Sequence, residues 1–179
     1  RRRLKGEDGA SLSFTAFIVA SLARAIAADP RVQAYRDWRG RLVVFHDVDV
    51  VTMIEPEAGT VAIPHIVRGA NRRTAREISD EIRSIQAAPA RSVQRSGGLA
   101  TVASRVPRFA RLLFFRVLKW RPEWHKRFAG TVVITSVGMF GRSGGWGLTF
   151  LPTHTLGLTV GGIAQKPGVH EGRIEAREY

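Results

Sequence analysis

The sequence contains no cysteine, and its acidic residues are few, with 15 Asp and Glu against 28 Lys and Arg. The absence of cysteine excludes disulfides, thiolate metal sites and a cysteine nucleophile. No apolar run reaches the roughly 18 residues that a membrane-spanning helix needs, and no secretory signal opens the chain. We expect a cytoplasmic location, although the missing cysteines do not by themselves settle the compartment.

The rest of the composition is that of a globular protein, with 179 residues of which 44% are hydrophobic and 24% are charged. We interpret residues 1–11 as a basic, solvated tail and residues 12–179 as one domain. The formal charge is +13, but ten basic residues lie within 91–127, and 18 basic face 14 acidic residues elsewhere. No groove-reading motif or stacking platform accompanies this charge, so we do not expect nucleic acid as a partner.

Apolar periodicity and capping signals predict a mixture of helices and short strands. Thr74 and Glu77 form a capping-box pattern, and the Asp29-Pro30 and Pro122 positions predict helix ends. Without strict β-α-β alternation, this mixture favours an α+β arrangement. The predicted helices span 11–28, 74–88 and 107–120; the predicted strands span 41–45 and 48–54 on either side of a His46-Asp47 turn, 61–67, 131–137 and 156–163; and a turn at 167–172 precedes a strand that begins at Arg173.

The sequence predicts that residues 105–120 form a basic amphipathic helix within a longer basic stretch at about 87–129. Five basic residues fall within one arc of about 140° at ~100° per residue. This pattern is typical of a helix that lies at an anionic membrane surface. The alternative is that the apolar side packs on the domain and leaves the arginines solvated. The basic positions are Arg105, Arg108, Arg111, Arg116 and Lys119, and the opposite side carries Val106, Phe109, Ala110, Leu113, Phe114, Val117 and Trp120.

Few residues show a chemical motif by themselves. None of the five histidines has a partner at a motif spacing, and no two lie three or four residues apart on a helix, so no metal site is expected. The glycine-rich stretch 138–147 lacks the Gly-Lys-Ser/Thr ending of a phosphate loop, and we interpret it as a connection between strands. Thr135 and Ser136 end an apolar strand just before Gly138, where a backbone can approach a ligand closely.

Three segments together resemble one protein family. Residues 14–34 resemble the first core helix of the catalytic domain of 2-oxo-acid dehydrogenase acyltransferases and its "P-x-L-N-A" end. Residues 66–71, followed by two Glu-Ile pairs, resemble "V-I-R-N-A-D…E-I…E-I". Residues 130–141 are similar to "G-T-F-T-I-S-N-L-G-M-F-G", and Pro152 and Gly161 fall where the family has "P-P-x-x-A-I-L-x-V-G". The resemblance covers most of residues 12–179.

The resemblance implies a chloramphenicol acetyltransferase-like α+β fold, with a mixed sheet flanked by helices. It also implies coenzyme A-dependent transfer of an acyl group between a thioester and a thiol. In the family a histidine of His-x-x-x-Asp-Gly is the general base, and a Ser or Thr hydroxyl stabilises the oxyanion. Alignment gives the hydroxyl role to Thr135, with Ser136 as the neighbour that could substitute for it. A homotrimer or higher assembly, with active sites between subunits, is implied too.

The sequence departs from the family pattern at its most important motif. No His-x-x-x-Asp-Gly occurs in these residues. In the family it follows shortly after the strand that begins here near Arg173, so we expect that the domain lacks its C-terminal part. The residues before 12 are too few for a lipoyl domain, so we expect a lipoyl group to be supplied in trans by a carrier protein. The alternative is a non-catalytic relative that acts as a scaffold or lies peripherally at an anionic membrane.

Overall fold

A computed structural model describes residues 12–56, 60, 62–89, 107–136, 151, 153–161 and 165–178. These ranges contain four α-helices: α1 (Phe14–Ala28), α2 (Ala75–Ala87), α3 (Arg108–Trp120) and α4 (Pro122–Ala129). They also contain the strands β1 (Tyr35–Arg36), β2 (Leu42–Val43), β3 (Val50–Ile54), β4 (Ile63–Val67), β5 (Val132–Ser136), β6 (Gly157–Val160), β7 (Gln165–His170) and β8 (Arg173–Glu178). No helix in these ranges is long and apolar enough to cross a membrane.

The starts of the first two helices follow from side-chain capping, which the sequence predicts at Ser11 or Ser13 for α1 and at Thr74 for α2. The side chain of Ser13 accepts a hydrogen bond from the backbone N–H of Ala16. At the start of α2, Thr74 accepts from the N–H of Glu77, and the Glu77 carboxylate accepts from the N–H of Thr74. These bonds satisfy amides that have no partner within the first helical turn.

Four strands form a mixed sheet in the order β4-β3-β5-β6. Strand β4 is antiparallel to β3, whereas β3, β5 and β6 are parallel to one another. The prediction of an α+β fold with a mixed sheet is therefore confirmed. Pro64 lies in β4 opposite Met53, at one edge of the four strands that the described residues form, and edge strands are where a sheet accommodates proline.

One face of this sheet packs against α1 and α2. The register places Val50 beside Val132, and Thr52 beside Ile134, so these side chains share that face. Ile78 and Ile85 of α2 are fully buried in the same cluster. Each such side chain contributes about 1.5–3 kcal/mol through burial. The core thus fixes which side chains of β5 face the helices and which face away.

One prediction of local structure is wrong, and one helix was not predicted. The helix that was expected to stop before Pro122 does end at Trp120, but Pro122 is also the first residue of α4, which the sequence did not predict. Residues 167–170 do not belong to a turn, since β7 continues to His170 and pairs with β8 around a turn at Glu171 and Gly172. The predicted strands on either side of His46-Asp47 are both present in shorter form, as β2 and β3. β2 pairs with β1, whereas β3 pairs with β4 and β5.

Some predictions fall outside the described residues. They concern the basic tail at 1–11, nearly all of the loop at 87–104, the two residues that precede Pro107 and the glycine-rich stretch 138–147. The proposed basic insertion at about 87–129 is described only at 87–89 and 107–129, and its status as an insertion stays a prediction.

Candidate functional site

Thr135 and Ser136 lie at the carboxyl end of β5, just beyond its pairing with β3 and within its pairing with β6. Thr135 is paired with Thr159 of β6, and Ser136 with Val160. Both hydroxyl residues are half-buried. The carboxyl ends of parallel strands meet at one edge of a sheet, and ligands of open α/β sheets bind at such edges. The structure therefore brings the two predicted site residues to a position suited to ligand contact.

The two hydroxyl residues belong to opposite faces of the sheet. Ile134 is fully buried in the core beneath the helices, and side chains alternate along a strand. Ser136 therefore shares the helix-covered face with Ile134, whereas Thr135 shares the other face with Val133. Thr159, the cross-strand partner of Thr135, lies on that same face away from the core. A ligand that binds to one face of the sheet can therefore contact only the hydroxyl group on that face directly.

The five histidines lie elsewhere in the molecule. His65 of β4 is paired with Thr52 on the helix-covered face of the sheet. His125 of α4 and His154 precede β5 and β6, at the amino end of these strands and thus opposite the Thr135 edge. His46 precedes β3, and His170 ends β7 in a separate two-stranded sheet. None of them occupies the position of a base beside Thr135 on β5.

His65 belongs to a buried ion-pair network with a structural role. Its Nε2 donates to Oε1 of Glu81 over 2.8 Å, and Arg73 Nη1 contacts the other carboxylate oxygen. Burial opposes ionisation of this carboxyl group, but the hydrogen bonds from His65 and Arg73 outweigh it and lower the pKa of Glu81 to about 2. The network ties β4 to α2 with a charge that is fixed near neutral pH.

A second histidine cluster, formed by His125 and His154 with Tyr35, joins α4 to β1 and to the segment that precedes β6. The ring of His125 lies 4.6 Å from that of Tyr35 and 5.2 Å from that of His154, centroid to centroid. His154 Nε2 donates to the carbonyl of Ala129 over 2.8 Å. Burial, and then the neighbouring His154, lower the pKa of His125 to about 4. Burial also lowers the pKa of His154 and raises that of Tyr35 to about 12. All three rings are therefore neutral at pH 7.

Arg68, within the segment that resembles "V-I-R-N-A-D", anchors α4 to the sheet. Its Nη1 donates to Oδ2 of Asp49 over 2.9 Å and to the carbonyl of Lys126 over 2.7 Å. Its Nη2 donates to the carbonyl of Arg127. A cation here is favourable because the last carbonyls of a helix carry partial negative charge. Sequence reasoning missed this role, and the arginine of the matched motif was the available signal.

Asn71, which stands where the family has an acidic residue, stabilises the entry to β3. Its Oδ1 accepts from the N–H of Val48 over 3.0 Å, and its Nδ2 donates to the carbonyl of His46 over 3.2 Å. A carboxylate could accept the first bond, but it could not donate the second. The departure from the family pattern thus has a local structural reason.

Two open grooves lie near α3 and α4. One, of about 430 Å³, is bordered by acidic and basic side chains that already form ion pairs, such as Arg72 with Asp47 and Arg68 with Asp49. The other, of about 530 Å³, is lined by Trp38, Val117, Trp120 and Arg121. Thr135 is absent from the lining of both grooves. In the described part of the chain, no group of three or more His, Asp or Glu residues is placed to hold a metal ion.

The basic helix α3 packs on the domain with only part of its apolar surface. Leu118 is buried, at 5% exposure, and the ring of Phe114 lies 6.0 Å from that of Phe128 in α4. Phe109 and Leu113, which the sequence places on the apolar side, are 75% and 61% exposed. The interpretation in which the apolar side is wholly covered by the domain therefore does not hold for these two residues.

No model of a known protein family matches the chain, and no curated protein does so. Several solved structures do match in fold. A probable dihydrolipoamide acetyltransferase from Listeria monocytogenes aligns with a TM-score of 0.59 at 20% identity, over 98% of this chain and 62% of that one. The dihydrolipoamide acetyltransferase of Azotobacter vinelandii aligns with a TM-score of 0.59 at 14% identity, over 99% of this chain and 60% of that one.

A truncated catalytic core of the 2-oxoacid dehydrogenase multienzyme complex from Thermoplasma acidophilum gives a TM-score of 0.53 at 18% identity, over 92% of this chain and 63% of that one. The chain thus spans about three fifths of the length of the solved structures that it matches. At identities of 20% or less, these likenesses establish the fold alone. The chain has the fold of acyltransferase catalytic domains, as the resemblance in its sequence predicts.

Proposed function

We propose that this chain forms the core of a coenzyme A-dependent acyltransferase, which moves an acyl group between a thioester and a thiol. The observation that carries the proposal is the position of Thr135. Its strand resembles the family's hydroxyl-bearing strand, and it ends at the carboxyl edge of the parallel strands, with Thr135 on the face away from the core. The fold, which the chain shares with acetyltransferase catalytic domains, supports the same reaction class.

The proposed role of Thr135 follows from the chemistry of thioester exchange. Attack of a thiolate on a thioester carbonyl places negative charge on the carbonyl oxygen. A hydroxyl held on a strand donates a hydrogen bond to this oxygen without having to reorganise, and such preorganised donors lower the barrier strongly. Because Ser136 belongs to the opposite face, it cannot simply replace Thr135 in the same site.

The proposed mechanism also needs a general base for the thiol. A base with a pKa near neutrality is best suited to remove the thiol proton at pH 7. The pKa of His125, about 4, is too low for this task, and both His125 and His154 lie at the amino end of β5 and β6, opposite the edge that carries Thr135. We therefore assign the base to a His-x-x-x-Asp-Gly segment that follows Tyr179 in the natural sequence, as the family resemblance implies.

The oligomeric assembly and the two thiol substrates are part of the same proposal. One matching structure is the cubic core of a pyruvate dehydrogenase multienzyme complex, and another is the core of a 2-oxoacid dehydrogenase complex. By analogy, we assign this protein to a homotrimer or a higher assembly with active sites between subunits. Coenzyme A binds as a substrate, and a lipoyl group supplies the acceptor thiol.

The proposal is tested with the full-length natural protein in a thioester-exchange assay. Acetyl-CoA and dihydrolipoamide are mixed with the protein, and both free coenzyme A and the lipoyl thioester are quantified over time. We expect coenzyme A release and thioester formation in equal amounts, at a rate proportional to protein concentration. Succinyl-CoA and a branched-chain acyl-CoA, tested in parallel, define the acyl group.

The second candidate is a non-catalytic relative that acts as a scaffold. This function is favoured if no acyl-CoA is consumed although the protein is folded and oligomeric by circular dichroism and analytical ultracentrifugation. A natural sequence without His-x-x-x-Asp-Gly after Tyr179 would point the same way. The two observations are independent, because one measures turnover and the other reads the sequence.

A further inference from the structure

Exposed apolar side chains are concentrated on one part of the molecule. The described residues include sixteen large apolar side chains that are exposed, and six of these lie between residues 109 and 124. Scattered exposed apolar residues are normal, whereas a local concentration marks an interaction surface. The six are Phe109, Leu112, Leu113, Phe115, Trp120 and Trp124.

Helix α3 has two apolar faces, and the domain covers only one of them. Leu118 is buried, and Phe114 and Val117 are half-buried against the rest of the chain. On the other side, at ~100° per residue, five positions fall within an arc of about 100°. We call these five the exposed face of α3: Phe109, Leu112, Leu113, Arg116 and Trp120, each of them exposed.

The charge of α3 has a single sign. The helix contains Arg108, Arg111, Arg116 and Lys119, and it contains no Asp or Glu. Arg108 is exposed at the start of the helix. The guanidinium of Arg116 lies 4.9 Å from the ring centre of Trp120, so a cation and an aromatic ring share the same surface. The exposed face therefore offers apolar anchors between cationic groups.

We propose that the exposed face of α3 binds reversibly to the headgroup region of an anionic membrane, independently of acyl transfer. Phe, Leu and Trp side chains on one face, with Arg beside them, are the composition of helices that lie in a bilayer interface. Trp120 and Trp124 suit this region because an indole combines an apolar ring with an N–H donor. Nucleic acid would use the cations, but it would leave Phe109, Leu112 and Leu113 in water.

The test uses co-sedimentation of the full-length protein with vesicles of phosphatidylcholine containing 30% phosphatidylserine by mole, and with pure phosphatidylcholine vesicles. We expect binding to the anionic vesicles that persists at about 0.3 M salt, where simple charge attraction is largely screened. Phe109→Ser/Leu113→Ser should weaken this binding at least tenfold, because two apolar anchors are lost. Arg108→Gln/Arg116→Gln should weaken it roughly thirtyfold.

The matched control removes equally exposed apolar side chains from another surface. Val169 and Ile174 of the β7–β8 hairpin are 77% and 80% exposed, and Val169→Ser/Ile174→Ser should bind vesicles like the wild-type protein. Circular dichroism and thermal melting establish that each variant is folded. If the serine double variant of α3 does not fold, Phe109→Ser alone and the arginine double variant carry the comparison.

Three results would overturn the proposal. The first is no binding to anionic vesicles, and the second is an equal loss in the α3 and hairpin variants. The third is binding that disappears at about 0.3 M salt and is insensitive to Phe109→Ser/Leu113→Ser, which leaves charge as the whole interaction. Dissociation of the oligomer by the α3 variant, without vesicle binding by the wild-type protein, would show that a second copy covers this face.

Discussion

The imidazole ring of His125 lies edge-on against that of His154, at an interplanar angle of 72° and a centroid distance of 5.2 Å. His125 is 2% exposed, and within the described part of the chain neither of its ring nitrogens has a hydrogen-bond partner. His154 is held by Ala129, whose carbonyl accepts from Nε2. The contact therefore joins α4 to the segment before β6 through two neutral rings. Because acid would place positive charge on these buried rings, the stability of the fold depends on pH.

We predict that stability falls as the pH is lowered below about 6.5. The unfolded chain protonates His125 with a pKa near 6.5, whereas the folded protein does so only near 4. Between these values the unfolded state binds the extra proton, so the free energy of unfolding is lower by about 2 kcal/mol at pH 5, and the loss is complete only below pH 4. Because the pKa of His154 is lowered too, it adds to the loss in the same direction.

Urea unfolding at pH 7.5 and pH 5.0 measures this effect. His125→Phe keeps an aromatic ring against Tyr35 and should flatten the difference between the two pH values. His170→Gln, on the β7–β8 hairpin, is the matched control and should keep the wild-type difference. A wild-type free energy of unfolding that is equal at both pH values would show that the His125 environment is misassigned.

The turn between α4 and β5 requires glycine at position 130. Gly130 has a φ of +72°, and an added Cβ would lie 2.7 Å from the carbonyl oxygen of Asp49 and 2.9 Å from a methyl group of Val51. The close approach lets Thr131 donate its N–H to the same carbonyl over 2.7 Å, which fixes the start of β5 beside β3. The register of Thr135 therefore depends on this residue.

We predict that Gly130→Ala destabilises the protein by more than about 2 kcal/mol, because backbone strain and a steric clash add together. Gly172→Ala is the matched control: its φ is +77°, but an added Cβ meets nothing within 4 Å. It should cost about 1 kcal/mol through backbone strain alone. Chemical denaturation of both variants makes the comparison, and equal losses would argue against the tight contact at Asp49.

The two leucines of α3 should respond differently to truncation. Leu118 is 5% exposed and Leu113 is 61% exposed. Leu118→Ala should destabilise the protein by about 2–4 kcal/mol, as expected for a buried leucine, whereas Leu113→Ala should change stability by less than about 0.5 kcal/mol. Denaturation midpoints report the difference. The reverse order would mean that α3 is rotated about its axis relative to the structure described above.

Local sequence signals were sufficient to predict α1 and α2. Their caps, Ser13 and the Thr74–Glu77 pair, lie within a few residues of the amides that they satisfy. The partners of β2 and β3 were not predictable in this way, because pairing depends on segments far apart in the chain. The start of α4 at Pro122 was missed because proline either ends a helix or occupies its first turn, and the sequence alone did not decide between them.

The burial of α3 and the site at β5 show a related limit. Leu118 stands next to the basic arc on a helical projection, yet it is buried, because tertiary packing and not the pattern alone decides which side of a helix is covered. For Thr135 and Ser136 the relevant signal was present in the sequence: adjacent residues of a strand face opposite ways. Only the core contacts of Ile134 show which of the two lies on the face away from the helices.

The role assigned to Thr135 is tested most directly by the turnover of Thr135→Val in the full-length protein, measured as thioester exchange between acetyl-CoA and dihydrolipoamide. Valine keeps the shape of the side chain but removes the donor, so turnover should fall by about 10²–10³. Coenzyme A affinity should change little, Thr135→Ser should keep most of the activity, and Ser136→Ala, on the opposite face, should stay within about threefold of the wild-type rate, since it removes no donor from the site. Wild-type turnover in folded Thr135→Val would contradict the assignment of the oxyanion donor, and a large loss in Ser136→Ala alone would move the site to the helix-covered face.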